Sequence, residues 1–159
     1  ATDIDADANP IVIDDGDLVV SGTITANTRP IQAIGTGYLV QSPTQNVAKT
    51  YPIGNGANNY TATITCLAAP TQPIKMKIRN NPAIAGASSV DFWDISGETG
   101  LNATLKLRIP KSALRSGAWH GNQIRIFNGS RYVPVPAAQV SVATFSDYLE
   151  VTIAGVNAF

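Results

Sequence analysis

Alternation of apolar and polar residues runs through most of this 159-residue chain. Between residues 101 and 109 every odd position is apolar and the even positions are polar, and residues 148–153 repeat the pattern. A period of two places successive side chains on opposite faces of a β-strand, whereas the 3.6-residue period of a helix is nearly absent. Half-buried strands of this kind are typical of antiparallel sheets. The chain is therefore predicted to be all-β.

Gly, Pro and Asn divide the chain into short segments at regular intervals. Besides residues 101–109 and 149–153, strands are predicted at residues 18–25, 37–41, 47–53, 60–66, 74–79, 92–95, 123–127, 132–135 and 139–143. Asn128-Gly129 predicts a hairpin turn, and residues 110–115 a single helical turn. Ten or eleven short strands at this spacing favour an antiparallel two-sheet β-sandwich of the jelly-roll or Ig-like kind. No internal repeat is predicted.

An acidic N-terminal arm, residues 1–27, differs in composition from the predicted sandwich domain, residues 28–159. Six of the eleven acidic residues lie within residues 1–17, which contain no Lys or Arg. Positions 18–159 carry eleven basic and five acidic side chains, so the two parts have net charges of −6 and +6. The arm also contains two runs rich in β-branched residues. It is expected to fold back on its own domain, to bind metal, or to complete a neighbouring subunit.

Donation to a neighbour is the leading interpretation, because exposed strand edges readily accept a further strand. The arm would insert its apolar residues into the next subunit, and basic strand residues there would meet its aspartates. The predicted inter-subunit strand residues are Ile11, Val12, Ile13, Leu18 and Val20. The predicted charge partners are Lys75, Lys77, Arg79, Lys106 and Arg108.

Calcium is the one cofactor that the sequence brings into consideration. The arm carries the clustered aspartates Asp3, Asp5, Asp7, Asp14, Asp15 and Asp17. Carboxylate oxygens are the ligands that hard cations prefer, although Ala8 and Asp14 stand where an EF-hand loop has Gly and Glu. These aspartates are metal candidates without EF-hand geometry.

Residues for enzymatic catalysis are not apparent. The single histidine, His120, has no neighbouring carboxylate in the sequence, and the single cysteine, Cys66, shares a predicted strand face with apolar residues. The chain is predicted not to be an enzyme. Trp119, between two glycines, is the candidate aromatic for stacking on a sugar, so a carbohydrate-binding module is one alternative. Asn59, Asn102 and Asn128 each begin an N-glycosylation acceptor pattern.

Several packing and turn motifs occur between residues 37 and 159. They are Tyr51-Pro52-Ile53-Gly54 with the strand after it, Phe92-Trp93-Asp94-Ile95, the hairpin at residues 124–135, and Gly155-Val156-Asn157-Ala158-Phe159. This set resembles the β-sandwich domains of very large exported surface proteins of Bacteroidetes-type bacteria. The resemblance implies a sandwich fold and export. Domains of that family continue past the last Phe, and a chain that stops there is expected to leave an open groove.

The sequence as a whole predicts an extracellular structural subunit that self-assembles into a pilus-like filament by N-terminal strand donation. A monomeric surface or adhesion module is the other alternative. The first residue is Ala1, which is consistent with secretion and removal of a signal peptide. No apolar run is long enough to span a membrane. Nucleic-acid binding is not expected, because the sequence has no basic patch interleaved with aromatic residues.

Overall fold

A computed structural model describes residues 1–56, 58–80, 91–114, 124–127 and 130–157. These residues form several sheets with two short 3-10 turns, Lys111–Ala113 and Ala137–Gln139, which confirms the predicted all-β class. The strands are β1 Ile4–Asp5, β2 Val12–Ile13, β3 Leu18–Val19, β4 Ile24–Thr25, β5 Ile31–Ala33, β6 Leu39–Gln41, β7 Lys49–Tyr51, β8 Ile53–Asn55, β9 Asn58–Asn59, β10 Ala62–Thr65, β11 Ile74–Asn80, β12 Asp91–Ser96, β13 Ala103–Pro110, β14 Arg125–Phe127, β15 Tyr132–Pro134, β16 Val140–Thr144 and β17 Tyr148–Val156.

A five-stranded antiparallel sheet in the order β16-β17-β13-β10-β7 forms one side of the core. Ile64 lies opposite Leu105, and Leu105 lies opposite Ile153 on the next strand. All three are buried, as are Leu107 and Val151. The alternation in the sequence therefore predicts the buried face of these strands correctly, since a shift of one residue would turn the apolar set to solvent.

A second sheet, in the order β12-β11-β6-β3, contributes to the same core. The buried Tyr51 of the first sheet donates its hydroxyl to the carbonyl of Ile74 at 3.1 Å. Trp93 donates its indole N–H to the carbonyl of Tyr60 at 3.0 Å, and the two rings meet edge to face. The two sheets are thus joined in a sandwich-like arrangement. Ile124, which we expect in this core, is only half-buried.

The N-terminal residues have a different architecture, in which short strands of successive chain turns pair in parallel. Ile4 pairs with Ile24, Val12 with Gln32, and Leu18 with Leu39, so the partners in all three pairs are almost equally far apart along the chain. Residues 1–20 therefore form a first coil that lies directly on a second coil, residues 21–41. Strand β8 extends the stack by pairing in parallel with β5.

The register shows that the prediction of no internal repeat is wrong. Ile4-Asp5-Ala6 recurs as Ile24-Thr25-Ala26, and Pro10-Ile11 recurs as Pro30-Ile31. The repeated Ile and Ala residues are buried in the same apolar core or half-buried against it. Two copies with different polar residues leave a weak sequence signal, because Asp3, Asp5 and Asp7 of the first coil are replaced by Thr23, Thr25 and Asn27 in the second.

Two glycines allow the coils to approach closely. A Cβ on Gly22 would overlap the carbonyl of Thr2, and a Cβ on Gly37 would overlap the carbonyl of Gly16. The Ser21-Gly22 corner also divides the strand predicted at residues 18–25 into β3 and β4, which belong to different sheets. That predicted strand is corrected to two, because the chain turns at this close contact.

The predicted extended arm is folded onto its own chain in this structure. Ala6, Ile13 and Val20 of the first coil are 0%, 5% and 1% exposed and belong to the same apolar core as the two sheets. Residues 1–27 and the domain that follows them therefore share a core. Donation of these strands to a neighbouring subunit stays a prediction, now one that starts from strands already paired in cis.

Candidate functional site

The first coil presents an uncovered edge of three strands, here called the open edge. β1, β2 and β3 each lie at the end of their sheet. Ile4 and Ala6 donate their backbone N–H groups to the second coil, at 3.0 and 2.8 Å, and Leu18 and Val20 do the same at 2.8 and 3.0 Å. Because alternate residues of a parallel strand bond to opposite sides, the backbone groups of the intervening residues face away from the second coil.

Those intervening residues are Asp5, Val12 and Val19. The carbonyl of Asp5 accepts the N–H of Asn9 at 3.3 Å, and the carbonyl of Val19 accepts the terminal ammonium of Ala1 at 2.8 Å. Val12 is 55% exposed and Val19 is 56% exposed. The open edge therefore combines strand backbone that faces outward with exposed β-branched side chains, the combination that promotes strand addition.

The apolar interior of the coil is also partly uncovered at this edge. Ile11 and Leu18 are only half-buried, whereas their counterparts one turn later, Ile31 and Leu39, are 0% exposed. Nothing among the described residues covers the first coil from the other side, which fits the exposure of Ile11 and Leu18, whereas Ile4 and its counterpart Ile24 are both half-buried. Half-buried Ile4, Ile11 and Leu18 form an apolar floor at the open edge.

Asp7 links the two coils at a corner. One of its carboxylate oxygens accepts the backbone N–H groups of Thr28 and Arg29 and the Thr28 hydroxyl, and the other accepts the N–H of Asn27, all at 2.8–2.9 Å. The hydrogen bond from the Thr28 N–H, with those from Asn27 and Arg29, holds the pKa of Asp7 far below its usual range. An ionised carboxylate is therefore part of the coil contact.

Other aspartates of the first coil make similar contacts. Asp3 accepts the N–H of Thr23, and Asp17 accepts the N–H of Tyr38. Asp5 differs, because it bonds within its own coil: its side chain accepts the N–H groups of Asp7 and Ala8, both at 2.9 Å. Asp5 thus caps the first coil at the corner where Asp7 caps the second.

These contacts give the acidic cluster a role in backbone capping. The described residues contain no group of three or more His, Cys, Asp or Glu side chains that could hold a metal ion. Asp14 and Asp15 are exposed, and Asp15 accepts the Thr36 hydroxyl at 3.2 Å. Calcium binding by this cluster stays a prediction.

Three of the predicted charge partners lie on β11, and each is engaged within the chain. Lys75 pairs with Asp17, and this ion pair lowers the pKa of Asp17. Lys77 is buried and donates to the carbonyls of Gly35 and Thr36, both at 3.0 Å. Burial lowers the pKa of Lys77. Arg79 pairs with Asp94 and donates to the Tyr38 hydroxyl. The β11 cations thus bind the first and second coils and β12.

The other two predicted partners, Lys106 and Arg108, lie on β13 beside a groove of about 310 Å³ between the five-stranded sheet and the second coil. Lys106 lies 3.7 Å from Glu150, and the Arg108 guanidinium stacks on the Tyr148 ring at 3.9 Å from its centroid. The predicted charge partners therefore form two separate groups.

The remaining candidates are distributed as follows. Trp119 and His120 lie outside the described residues, so sugar binding at Trp119 stays a prediction. Cys66 is buried, and burial raises the pKa of its thiol. Asn59 is half-buried, with its side-chain oxygen accepting from Thr61, and Asn102 is exposed at φ +46°. Asn128 lies outside the described residues.

Two signals in the sequence could have indicated the stacked coils and their open edge, although neither is a strand pattern. The first is the twenty-residue recurrence of Ile-x-Ala and Pro-Ile, and the second is the placement of aspartates at coil corners. Of the predicted inter-subunit residues, Ile13 and Val20 lie inside the coil, Ile11 and Leu18 form its floor, and Val12 lies on the exposed side. No helix within the described residues has the length and apolar character to cross a membrane.

Comparison of the chain with protein-family models, with curated proteins and with solved structures finds no match.

Proposed function

We propose that this protein is an extracellular structural subunit that assembles into a filament through strand addition at its N-terminal coil. Its framework would be a two-sheet sandwich of the jelly-roll or Ig-like kind, stiffened by the coil stacked against it. The observation that carries the proposal is the open edge, where three strands present outward backbone groups beside a half-buried apolar floor. Such an edge gains ladder hydrogen bonds and apolar burial when another strand is added.

The cis pairing of the first coil favours edge addition over donation of the whole arm. Donation of the whole arm would require Ile13 and Val20 to leave a core in which they are almost fully buried. Addition to the open edge leaves those residues in place and would use the outward-facing N–H groups of Asp5, Val12 and Val19, because the carbonyls of Asp5 and Val19 already accept hydrogen bonds within the first coil. Edge addition is therefore the less costly route to the same filament.

The variant Val12→Pro tests this proposal. Proline removes the backbone N–H that faces outward, while the hydrogen bonds of β2 to the second coil come from its neighbours, which accept the N–H groups of Gln32 and Ile34. We expect wild-type protein to form concentration-dependent oligomers by size-exclusion chromatography and filaments by negative-stain microscopy, and Val12→Pro to remain monomeric with unchanged circular dichroism. Val12→Thr, which keeps the N–H, should assemble like wild type.

The second candidate function is a monomeric surface or adhesion module, and the cis packing of residues 1–27 is the observation that favours it. A strictly monomeric wild-type protein at high concentration, in both the presence and the absence of calcium, would select this candidate. Filaments that persist in Val12→Pro would show that assembly uses a different surface.

A further inference from the structure

The stacked coils indicate what fits the open edge. The upper side of the second coil is covered by a turn of chain with the same three strands, in parallel and at a nearly constant spacing. The first coil repeats the apolar positions of the second, so its own open side has the same outline. The first coil, bound to the upper side of the second, is therefore an example of the partner that fits such a surface.

We propose that the open edge binds a parallel β-coil, with turns of the same length as the first coil, carried by a second chain. This inference rests on the proposed function, in which the open edge is the joining surface, and it names the partner. A flat antiparallel strand could pair with only one of β1, β2 and β3, because they belong to three different sheets. A coil meets all three simultaneously and covers the floor formed by Ile4, Ile11 and Leu18.

The corner contacts of the two coils show which part of the partner's chemistry matters. In the second coil, the N–H groups of Asn27, Thr28 and Arg29 are bonded by Asp7 from the coil above. In the first coil, two of the corresponding N–H groups, those of Asp7 and Ala8, are bonded by Asp5. The third, that of Asn9, is bonded by the Asp5 carbonyl at 3.3 Å. A partner coil therefore needs apolar residues that cover the floor, and it needs no carboxylate at this corner, because these N–H groups are already bonded within the first coil.

The partner can be supplied by fusion, because a copy of residues 1–20 placed directly before Ala1 preserves the spacing between turns. Native-state hydrogen exchange then reports on the Asp5 and Val12 amides, which face the added coil. We expect their exchange in the fused protein to slow by at least about tenfold, the added residues to become protected in the alternating pattern of the first coil, and the melting temperature to rise.

The control is the same fusion with Ile13→Ser and Val20→Ser in the added copy only, since these positions are the ones that pack deepest. In this control, the exchange rates of the Asp5 and Val12 amides and the melting temperature should be the same as in the unfused protein. Equal, fast exchange of the added residues in both fusions would overturn the coil partner.

Filament formation by the unfused chain is a separate readout. Filaments together with an unordered added coil would leave strand addition standing and overturn the coil partner. A protected added coil without filaments from the unfused chain would support the coil partner and contradict self-assembly. Antiparallel pairing of two open edges in a twofold dimer of the unfused chain, with no ordering of the added coil, would also overturn it.

Discussion

The N-terminal coils and the five-stranded sheet are both built from β-strands, but they are stabilised differently. Strands of the sheet are up to nine residues long, pair antiparallel, and bury one face. Strands of the coils are two or three residues long, pair in parallel, and are separated by corners at which side chains bond to backbone. In the sheet, long ladders and a continuous apolar face hold the strands together. In the coils, hydrogen bonds at the corners add to the short ladders and the buried side chains.

Because of this difference, we expect the two regions to respond differently to substitutions. A long antiparallel strand tolerates change at its polar positions, because its register is set by many residues. A two-residue strand has little ladder of its own, so close backbone contact and corner carboxylates determine whether the turns stack. The following changes test that distinction, beginning with the largest effect.

Truncation of one core residue in each region tests whether they form one cooperative unit. Ile31→Ala in the second coil and Leu107→Ala in the sheet each remove a buried side chain, and each should lower the free energy of unfolding by about 2–5 kcal/mol. Urea titrations followed by fluorescence and by circular dichroism should coincide. A small loss for Ile31→Ala, with non-coincident transitions, would mean that the coils unfold separately.

Gly37→Ala tests the close approach of the two coils. The added methyl group would overlap the carbonyl of Gly16 and the Ile13 side chain, so the coils must separate, at a cost of about 1–3 kcal/mol in unfolding free energy. Ser42→Ala, at an exposed position just beyond the second coil, serves as the control and should be nearly neutral. Equal stability of the two variants in urea titration would contradict the contact between coils.

Asp7→Asn tests the corner carboxylate and its dependence on pH. The pKa of Asp7 is lowered in the folded protein, so its ionised form stabilises the fold above the carboxyl group's ordinary pKa of about 4, and this contribution is lost as the pH falls. We expect the wild-type melting temperature to fall from pH 5 to pH 2 more steeply than that of Asp7→Asn. Asp15→Asn, which alters a single bond to a hydroxyl, should follow wild type. Parallel curves for wild type and Asp7→Asn would refute the corner contact.

Lys75→Met should have the smallest effect. The Lys75–Asp17 pair is partly exposed, with side-chain exposures of 41% and 29%, and exposed pairs are worth at most about 1 kcal/mol. The loss of unfolding free energy should shrink further in concentrated salt, because screening weakens the pair in the wild type. A loss several times larger than that, and independent of salt, would show that Lys75 has a packing role.

The sequence predicts the sheet region well because its information is local. Alternation at Leu105 and Leu107 determines which face is buried, and the observed registers are consistent with that choice. Ile124 is an exception, since it lies just before a three-residue strand near the surface and not in the centre of a long one.

In the coil region the sequence predicts strands at residues 11–13, 18–25 and 37–41, but it predicts neither β1 nor β5 nor the stacking. The reason that the stacking is missed is physical. In a coil, each strand pairs with a strand one full turn away in the sequence. The apolar pattern within one strand therefore does not reveal its partner. The aspartates that suggest a separate acidic arm instead bond to backbone groups such as the N–H of Thr23 and Thr28. Charge composition alone does not separate these two arrangements.

Native-state hydrogen exchange on dilute, monomeric protein tests the central claim most directly. If residues 1–20 form a coil stacked in cis, the amides of Ile4, Ala6, Leu18 and Val20, which donate to the second coil, will be protected. The amides of Asp5 and Val12, on the open edge, will exchange rapidly. Uniformly rapid exchange through residues 1–20 of the monomer would contradict the stacked coil.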